Sequence, residues 1–197
     1  MSSVSKPRVR HNRHKHGLNL TLEKLSADFR IITFIVFFTL RLLSLAYSIR
    51  NEKRLLKNGA VQYGKVNSLL LTLAHVAYYL SALYEAYISG TTFNCFSVCG
   101  VLVMGFAYAM LFYVIYKLHD VWTVKLYIVP GQRIEKSFLF RTVRHPNYYL
   151  NIIPELIGVG LLCNAWYTLF IGLPIYVCLL AVRIRQEEKV MKKLLEN

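Results

Sequence analysis

The chain has 197 residues, 55% of them hydrophobic, with 14 tyrosines, 11 phenylalanines and a formal net charge of +14. A mean hydropathy of +0.39 is too high for an ordinary soluble domain and excludes a disordered, fibrous or disulfide-stapled secreted chain. The basic excess would point to nucleic acid in a soluble protein. Here the charges sit at the ends and between apolar runs, where they set topology and meet lipid headgroups, so no nucleic-acid partner is expected.

In chain order, residues 1–30 form a basic tail without the apolar core of a signal peptide, and this tail is expected to lack structure up to Leu18. His11, His14 and His16 in it are read as part of a solvated basic segment, and no metal site is expected anywhere. Three apolar runs follow, Ile31–Ile49, Ser68–Ser89 and Cys95–Leu118, each long enough to cross hydrocarbon. The third carries Gly100 and Gly105, small residues that would let a neighbouring helix come close. Residues 31–118 are thus three membrane helices with a cytoplasmic loop at 50–67. Residues 119–197 hold a polar segment, two shorter apolar arms and a C-terminal helix. The arms, Ile152–Cys163 and Trp166–Val182, are broken at Asn164 and interrupted by Pro154 and Pro174, which predicts a proline-kinked helical hairpin. Four cysteines, Cys95, Cys99, Cys163 and Cys178, have neither metal-ligand nor redox spacing and are expected to be buried packing residues.

The fold class is therefore an all-α integral membrane protein of about five spans. Lysines and arginines number five in Arg50–Lys65, six in Lys117–Arg144 and five in Arg183–Lys193, with none at Gly90–Asn94 or Cys163–Trp166. This alternation puts the three basic segments on the cytoplasmic side. The seven basic residues of the first thirty conflict with it. Either the tail is translocated against its charge, or Ile31–Ile49 does not fully span.

Three groups of residues could carry chemistry. Trp122–Tyr149 mixes aromatics with Arg133, Arg141, Arg144 and His145, as a site holding a polar cofactor against the membrane would, or as a loop lying on anionic headgroups would. In RIRQEE after the last arm, Arg183 and Glu187 stand one helical turn apart, so they can aim at one ligand or form a surface ion pair. Arg41, His75 and Glu155 are all expected in the inner half of the bilayer, where ionisable groups must pair. That cluster reads either as glue between helices or as part of the catalytic apparatus. Dinucleotide-fingerprint, P-loop, zinc-protease and serine-hydrolase motifs are absent from the sequence.

RHPNYY at Arg144–Tyr149, the trailing Glu155 and RIRQEE at Arg183–Glu188 together resemble the isoprenylcysteine carboxyl methyltransferase family, with its phospholipid methyltransferase relatives. RLLSLAYSIRNEKRLLKNGAVQYG at Arg41–Gly64, followed by His75, is similar to the N-terminal half of short bacterial members. The resemblance spans about Arg41 to Lys189. It implies an S-adenosylmethionine-dependent enzyme that methylates a carboxylate or hydroxyl of a lipophilic acceptor, a small molecule or lipid-modified compound entering from the bilayer, with the cofactor on the cytoplasmic side. It implies cofactor contacts from His145, Pro146, Asn147, Tyr148 and Glu187, and from the upstream Gln132, Arg133, Ile134, Glu135 and Phe140. Arg183 is the implied substrate residue, and Arg183 and Glu155 are the catalytic candidates. Phe138 and Phe140 depart from the glycine and tyrosine common in the family, and Phe140 keeps the ring without the hydroxyl. Two other readings are a nicotinamide-dependent membrane reductase of the sterol reductase type and a non-catalytic membrane scaffold.

Overall fold

In the computed structural model, residues 8–128 and 145–195 are described, and they form a helical membrane bundle. Helix α1 (Arg8–Lys57) is followed by strand β1 (Val61–Tyr63), then by helices α2 (Lys65–Ser89) and α3 (Cys95–Leu118) and strand β2 (Leu126–Ile128). The hairpin comes last, as α4 (Ile153–Leu162) and α5 (Leu173–Leu195). Among the described residues, four helical stretches are long and apolar enough to cross a membrane: Lys24–Lys57, Lys65–Ser89, Cys95–Val121 and Thr168–Lys192. The chain is a multi-pass membrane protein.

The ends of these helices follow from local chemistry. Helix α1 closes with Gly59 at φ +78°, where Gly59 N donates to Leu56 O and Ala60 N to Leu55 O, the paired bonds that satisfy orphan carbonyls at a glycine stop. Gly64 and Gly90, also left-handed, begin and end α2. Asn94 caps α3, its side chain accepting from Ser97 N at 3.1 Å. In the hairpin, Asn164 adopts φ +52°, and the same paired bonds run from Asn164 N to Leu161 O and from Ala165 N to Gly160 O. The second arm begins on Glu85 of α2, whose carboxylate accepts from Tyr167 N at 2.8 Å and Thr168 N at 2.9 Å.

Each hairpin proline is preceded by a π-helical turn, Asn147–Ile152 before Pro154 and Thr168–Gly172 before Pro174. Proline takes an N–H out of the ordinary ladder, and a π turn re-registers the bonds around the gap. Ile153 N donates to Tyr148 O and Leu173 N to Thr168 O.

The core lies between α3 and α4, where Met104, Ala107, Leu111, Val114, Leu156, Val159 and Leu162 have no exposed surface. Helix α4 is the most enclosed element. The outer faces of the other helices present Ile31, Ile35, Leu69, Leu80, Leu102 and Phe170, which water would not tolerate in such numbers and lipid would.

Several expectations are corrected. The tail read as unstructured to Leu18 is helical from Arg8, because extending an existing helix adds one bond per residue fixed and needs no new nucleus. Strands β1 and β2 pair antiparallel, Gln62 opposite Tyr127, although no strand was expected; three residues on each side leave too short a periodicity to read. Of the four cysteines only Cys163 is buried, and Cys95, Cys99 and Cys178 are exposed on lipid-facing surfaces, where a thiol is apolar enough to sit. Gly100 does meet a neighbour: a Cβ there would lie 2.7 Å from Gly158 O and overlap the Leu162 backbone nitrogen. Gly105 meets nothing within 4 Å.

Candidate functional site

Two polar clusters interrupt the apolar interior. The first joins α1, α2, α3 and α4 inside the bundle. Glu155 is completely buried, with Arg41 Nη2 2.7 Å from its Oε2. Tyr79 donates to Glu155 Oε1 at 2.7 Å and Tyr108 at 3.0 Å, and His75 Nε2 lies 3.8 Å from the same oxygen. His75 Nδ1 is 3.4 Å from the Tyr176 hydroxyl. A buried carboxylate needs a cation and several donors to offset its lost hydration, and Arg41 with the two tyrosines provides them. Sequence reasoning found Arg41, His75 and Glu155 and missed the tyrosines. Tyr79 was accessible, one turn beyond His75 on the same face of α2. Tyr108 and Tyr176 carried no local signal.

The second cluster stands at the end of the bundle where the hairpin's first arm begins and α5 leaves it. His145 Nδ1 is 3.3 Å from Glu187 Oε2 and its Nε2 3.6 Å from Glu188 Oε1. Its ring stacks on Tyr148, with centroids 5.7 Å apart and an interplanar angle of 18°. The Glu187 carboxylate beside it holds the imidazole pKa above its ordinary 6.5, against the opposing effect of burial. The Tyr148 hydroxyl is within electrostatic reach of both Arg183 and Glu187. Arg183 is only 1% exposed and donates from Nη1 to Ser68 Oγ at 2.9 Å, so it is not a solvated partner of Glu187 on the helix surface. Three polar atoms here, His145 Nε2, Gln186 Oε1 and Glu187 Oε2, are buried and make no well-formed hydrogen bond, the first and last standing only at ion-pair range of Glu188 and His145.

Pro146 and Asn147 start the π turn that carries Tyr148, and Asn147 Oδ1 accepts from Asn151 Nδ2 at 3.2 Å. Gln132, Arg133, Ile134, Glu135 and Phe140 lie outside the described residues. Glu155 belongs to the other cluster, about 10 Å further along the same arm at 1.5 Å per residue. Ser68, Gly64 and Gln186 around Arg183 were missed, because they come from a different helix or were overshadowed by the adjacent Glu187.

Residues 99–193, from within α3 through both polar clusters' hairpin residues to the last turns of α5, match the model of the isoprenylcysteine carboxyl methyltransferase family. The chain belongs to that family. It is similar, at 56% identity over 163 residues, to an uncharacterized protein of Haemophilus influenzae, covering 83% of this chain and 95% of the relative. It is similar at 25% identity over 153 residues to the uncharacterized protein YpbQ of Bacillus subtilis, covering 78% of this chain and 90% of that protein. No solved structure matches it significantly. The methyltransferase family match contains His145, Tyr148, Glu155, Arg183 and Glu187, whereas Arg41, Ser68, His75 and Tyr79 come from the half of the chain before it.

Proposed function

We propose that this protein is a membrane-embedded, S-adenosylmethionine-dependent O-methyltransferase acting on a carboxylate or hydroxyl of a lipophilic acceptor that enters from the bilayer. The observation carrying this reading is the second cluster. It sets buried acceptor atoms that make no well-formed hydrogen bond, Gln186 Oε1 and Glu187 Oε2, the latter only at ion-pair range of His145, near a stacked aromatic pair and a buried guanidinium.

S-adenosylmethionine has an ammonium, a carboxylate, an adenine and a sulfonium, and the residues fit it by chemistry. Glu187 suits the ammonium, with Gln186 Oε1 beside it as a further acceptor. His145 is a donor for the carboxylate, and the His145 and Tyr148 rings offer a flat face for the base or the cation. When bound, this cofactor supplies a methyl group already activated by positive sulfur. What remains for the protein is alignment and exclusion of water. Arg183, held in a dry environment, would grip an acceptor oxygen through its planar fork, and a carboxylate gripped so needs no general base. The surrounding lipid-facing helices would admit an acceptor with a long apolar part. The basic loops at this end support a cytoplasmic site.

The deciding measurement is transfer of a labelled methyl group from S-adenosylmethionine to a total lipid extract by the purified protein, alongside calorimetric titration of S-adenosylmethionine and NADPH. Binding of S-adenosylmethionine with label in an extractable lipid is expected. Binding of NADPH alone would replace this reading with the reductase one, and binding of neither with the scaffold.

A further inference from the structure

Arg183 is buried and comes from α5, yet the group that fixes its guanidinium comes from the start of α2. Ser68 Oγ accepts from Arg183 Nη1 at 2.9 Å while donating its own hydrogen to Gly64 O at 2.9 Å. The serine is therefore polarised: its single proton is committed to the backbone, and its lone pairs face the cation. Gly64 is shaped for the same contact. Its φ of +62° suits glycine, and an added Cβ would overlap Gln186 Oε1 and lie 3.3 Å from Arg183 Nη1.

The charge arrangement at this point is unusual. The N-terminal end of α2 carries the positive end of a helix dipole, and Arg183 is brought up to it rather than away from it. Among the described residues no carboxylate lies within ion-pair distance of Arg183; its Nη1 donates to Ser68 Oγ, and the Tyr148 hydroxyl is also within its reach. The hydrogen bond to Ser68 and the bare Gly64 backbone bring the guanidinium to this helix end although the dipole opposes it.

We propose that Ser68, seated on Gly64, is the positioning residue for Arg183: it keeps the guanidinium fork aimed for acceptor binding. It lies in the half of the chain before the matched family region, so the N-terminal half contributes to the site as well as to the membrane anchor. The proposal rests on the methyltransferase reading and on Arg183 as the acceptor-holding group.

The test uses the full chain in lipid nanodiscs and compares the parent with Ser68→Ala, Ser68→Thr and Ser68→Cys. Ser68→Thr keeps the hydroxyl; Ser68→Cys keeps the volume with a poor acceptor and serves if Ser68→Ala does not fold. Losing a hydrogen bond to a charged group should raise the acceptor KM about tenfold in Ser68→Ala and Ser68→Cys, with S-adenosylmethionine affinity within about twofold of the parent. Ser68→Thr should restore the parent KM. A purely structural role would lower the melting temperature without this split between acceptor KM and cofactor affinity. Parent-like acceptor KM in Ser68→Ala or Ser68→Cys, or a defect in Ser68→Thr equal to theirs, overturns the positioning role and leaves the methyltransferase reading standing. A parent that neither binds S-adenosylmethionine nor transfers methyl groups sinks both.

Discussion

Two charged pairs decide how the interior is held and how the site responds to pH. Arg41 and Glu155 face each other at 2.7 Å with Tyr79 and Tyr108 on the carboxylate, so removing either charge leaves the other buried and unpaired. Arg41→Leu or Glu155→Leu alone should destabilise by about 3–5 kcal/mol, less where water or snorkelling relieves the survivor. The double variant should lose clearly less than the sum, and additive losses in denaturant titrations of detergent-solubilised protein would disprove the coupling. At the other cluster, Glu187 raises the His145 pKa above 6.5, so the protonated imidazole favours the folded state. That contribution is complete below about 6.5 and disappears as pH rises through the folded value. The melting temperature of cofactor-free protein should fall with pH over this window, and Glu187→Gln should flatten the fall. The same variant should weaken S-adenosylmethionine binding by roughly tenfold or more, since it removes the negative end of a charge-assisted bond. An unchanged pH slope, or parent-like affinity in calorimetry, would remove Glu187 from these roles. The residues themselves were legible because an ionisable group in hydrocarbon must have a reason. Their hydrogen-bond partners were not, since a tyrosine in an apolar run reads as one more aromatic.

Elements were read well where a long apolar run has its own start and stop signals. Cys95–Leu118 is helix α3 to the residue, bounded by the Asn94 cap and the His119 end. The hairpin break at Asn164 was equally visible, because asparagine tolerates the left-handed conformation that ends a helix. Burial of the first arm was not visible. Composition makes α4 resemble the other spans, and only the tertiary arrangement puts Glu155, Gly158 and Leu162 wholly inside. Gly100 and Gly105 show the same limit: both are small residues in one apolar helix, but only Gly100 faces α4. Gly100→Ala drives a methyl into the Leu162 backbone, which cannot swing aside as a side chain can, and should destabilise by about 1–3 kcal/mol or more. Gly158→Ala meets Met104 Cγ and Gly100 O and should also destabilise, by an amount set by how far the flexible methionine yields. Gly105→Ala is the internal control. It has open space and gains helix propensity of up to about 1 kcal/mol, so it should be neutral or slightly stabilising. Melting of the three variants in one detergent checks this, and equal losses at Gly100 and Gly105 would contradict close packing of α3 on α4.

At the scale of the whole molecule, long-range polar contacts sort the helix ends into two groups that no local pattern could specify. At one end Asn51 donates to His119 O and Trp122 O, Lys125 pairs with Glu52, β1 pairs with β2, and Arg183 reaches Ser68. At the other end Arg30 bonds Thr91, Glu85 caps the second hairpin arm, and Asn94 donates to Asn164. The first group holds the basic segments around Arg50–Lys65, Lys117–Lys125 and Arg183–Lys193, and the turns of the second group, Gly90–Asn94 and Cys163–Trp166, have no lysine or arginine. Three basic segments against one basic tail favour the first group facing the cytoplasm. Helix α1, about 75 Å long at 1.5 Å per residue, exceeds a hydrocarbon core of about 30 Å, so its basic N-terminal part extends past the Arg30 end. The sequence left open whether this tail crosses or Ile31–Ile49 stops short, and an unbroken Lys24–Lys57 stretch favours crossing. In a chain with its four cysteines replaced, Thr91→Cys should react with a membrane-impermeant maleimide on intact cells, and Lys57→Cys only after the membrane is opened. A tag at Ser2 should be accessible from the Thr91 side. Labelling of both cysteines from one side would overturn the arrangement of the ends, whereas a Ser2 tag reached only from the Lys57 side would show that α1 does not cross.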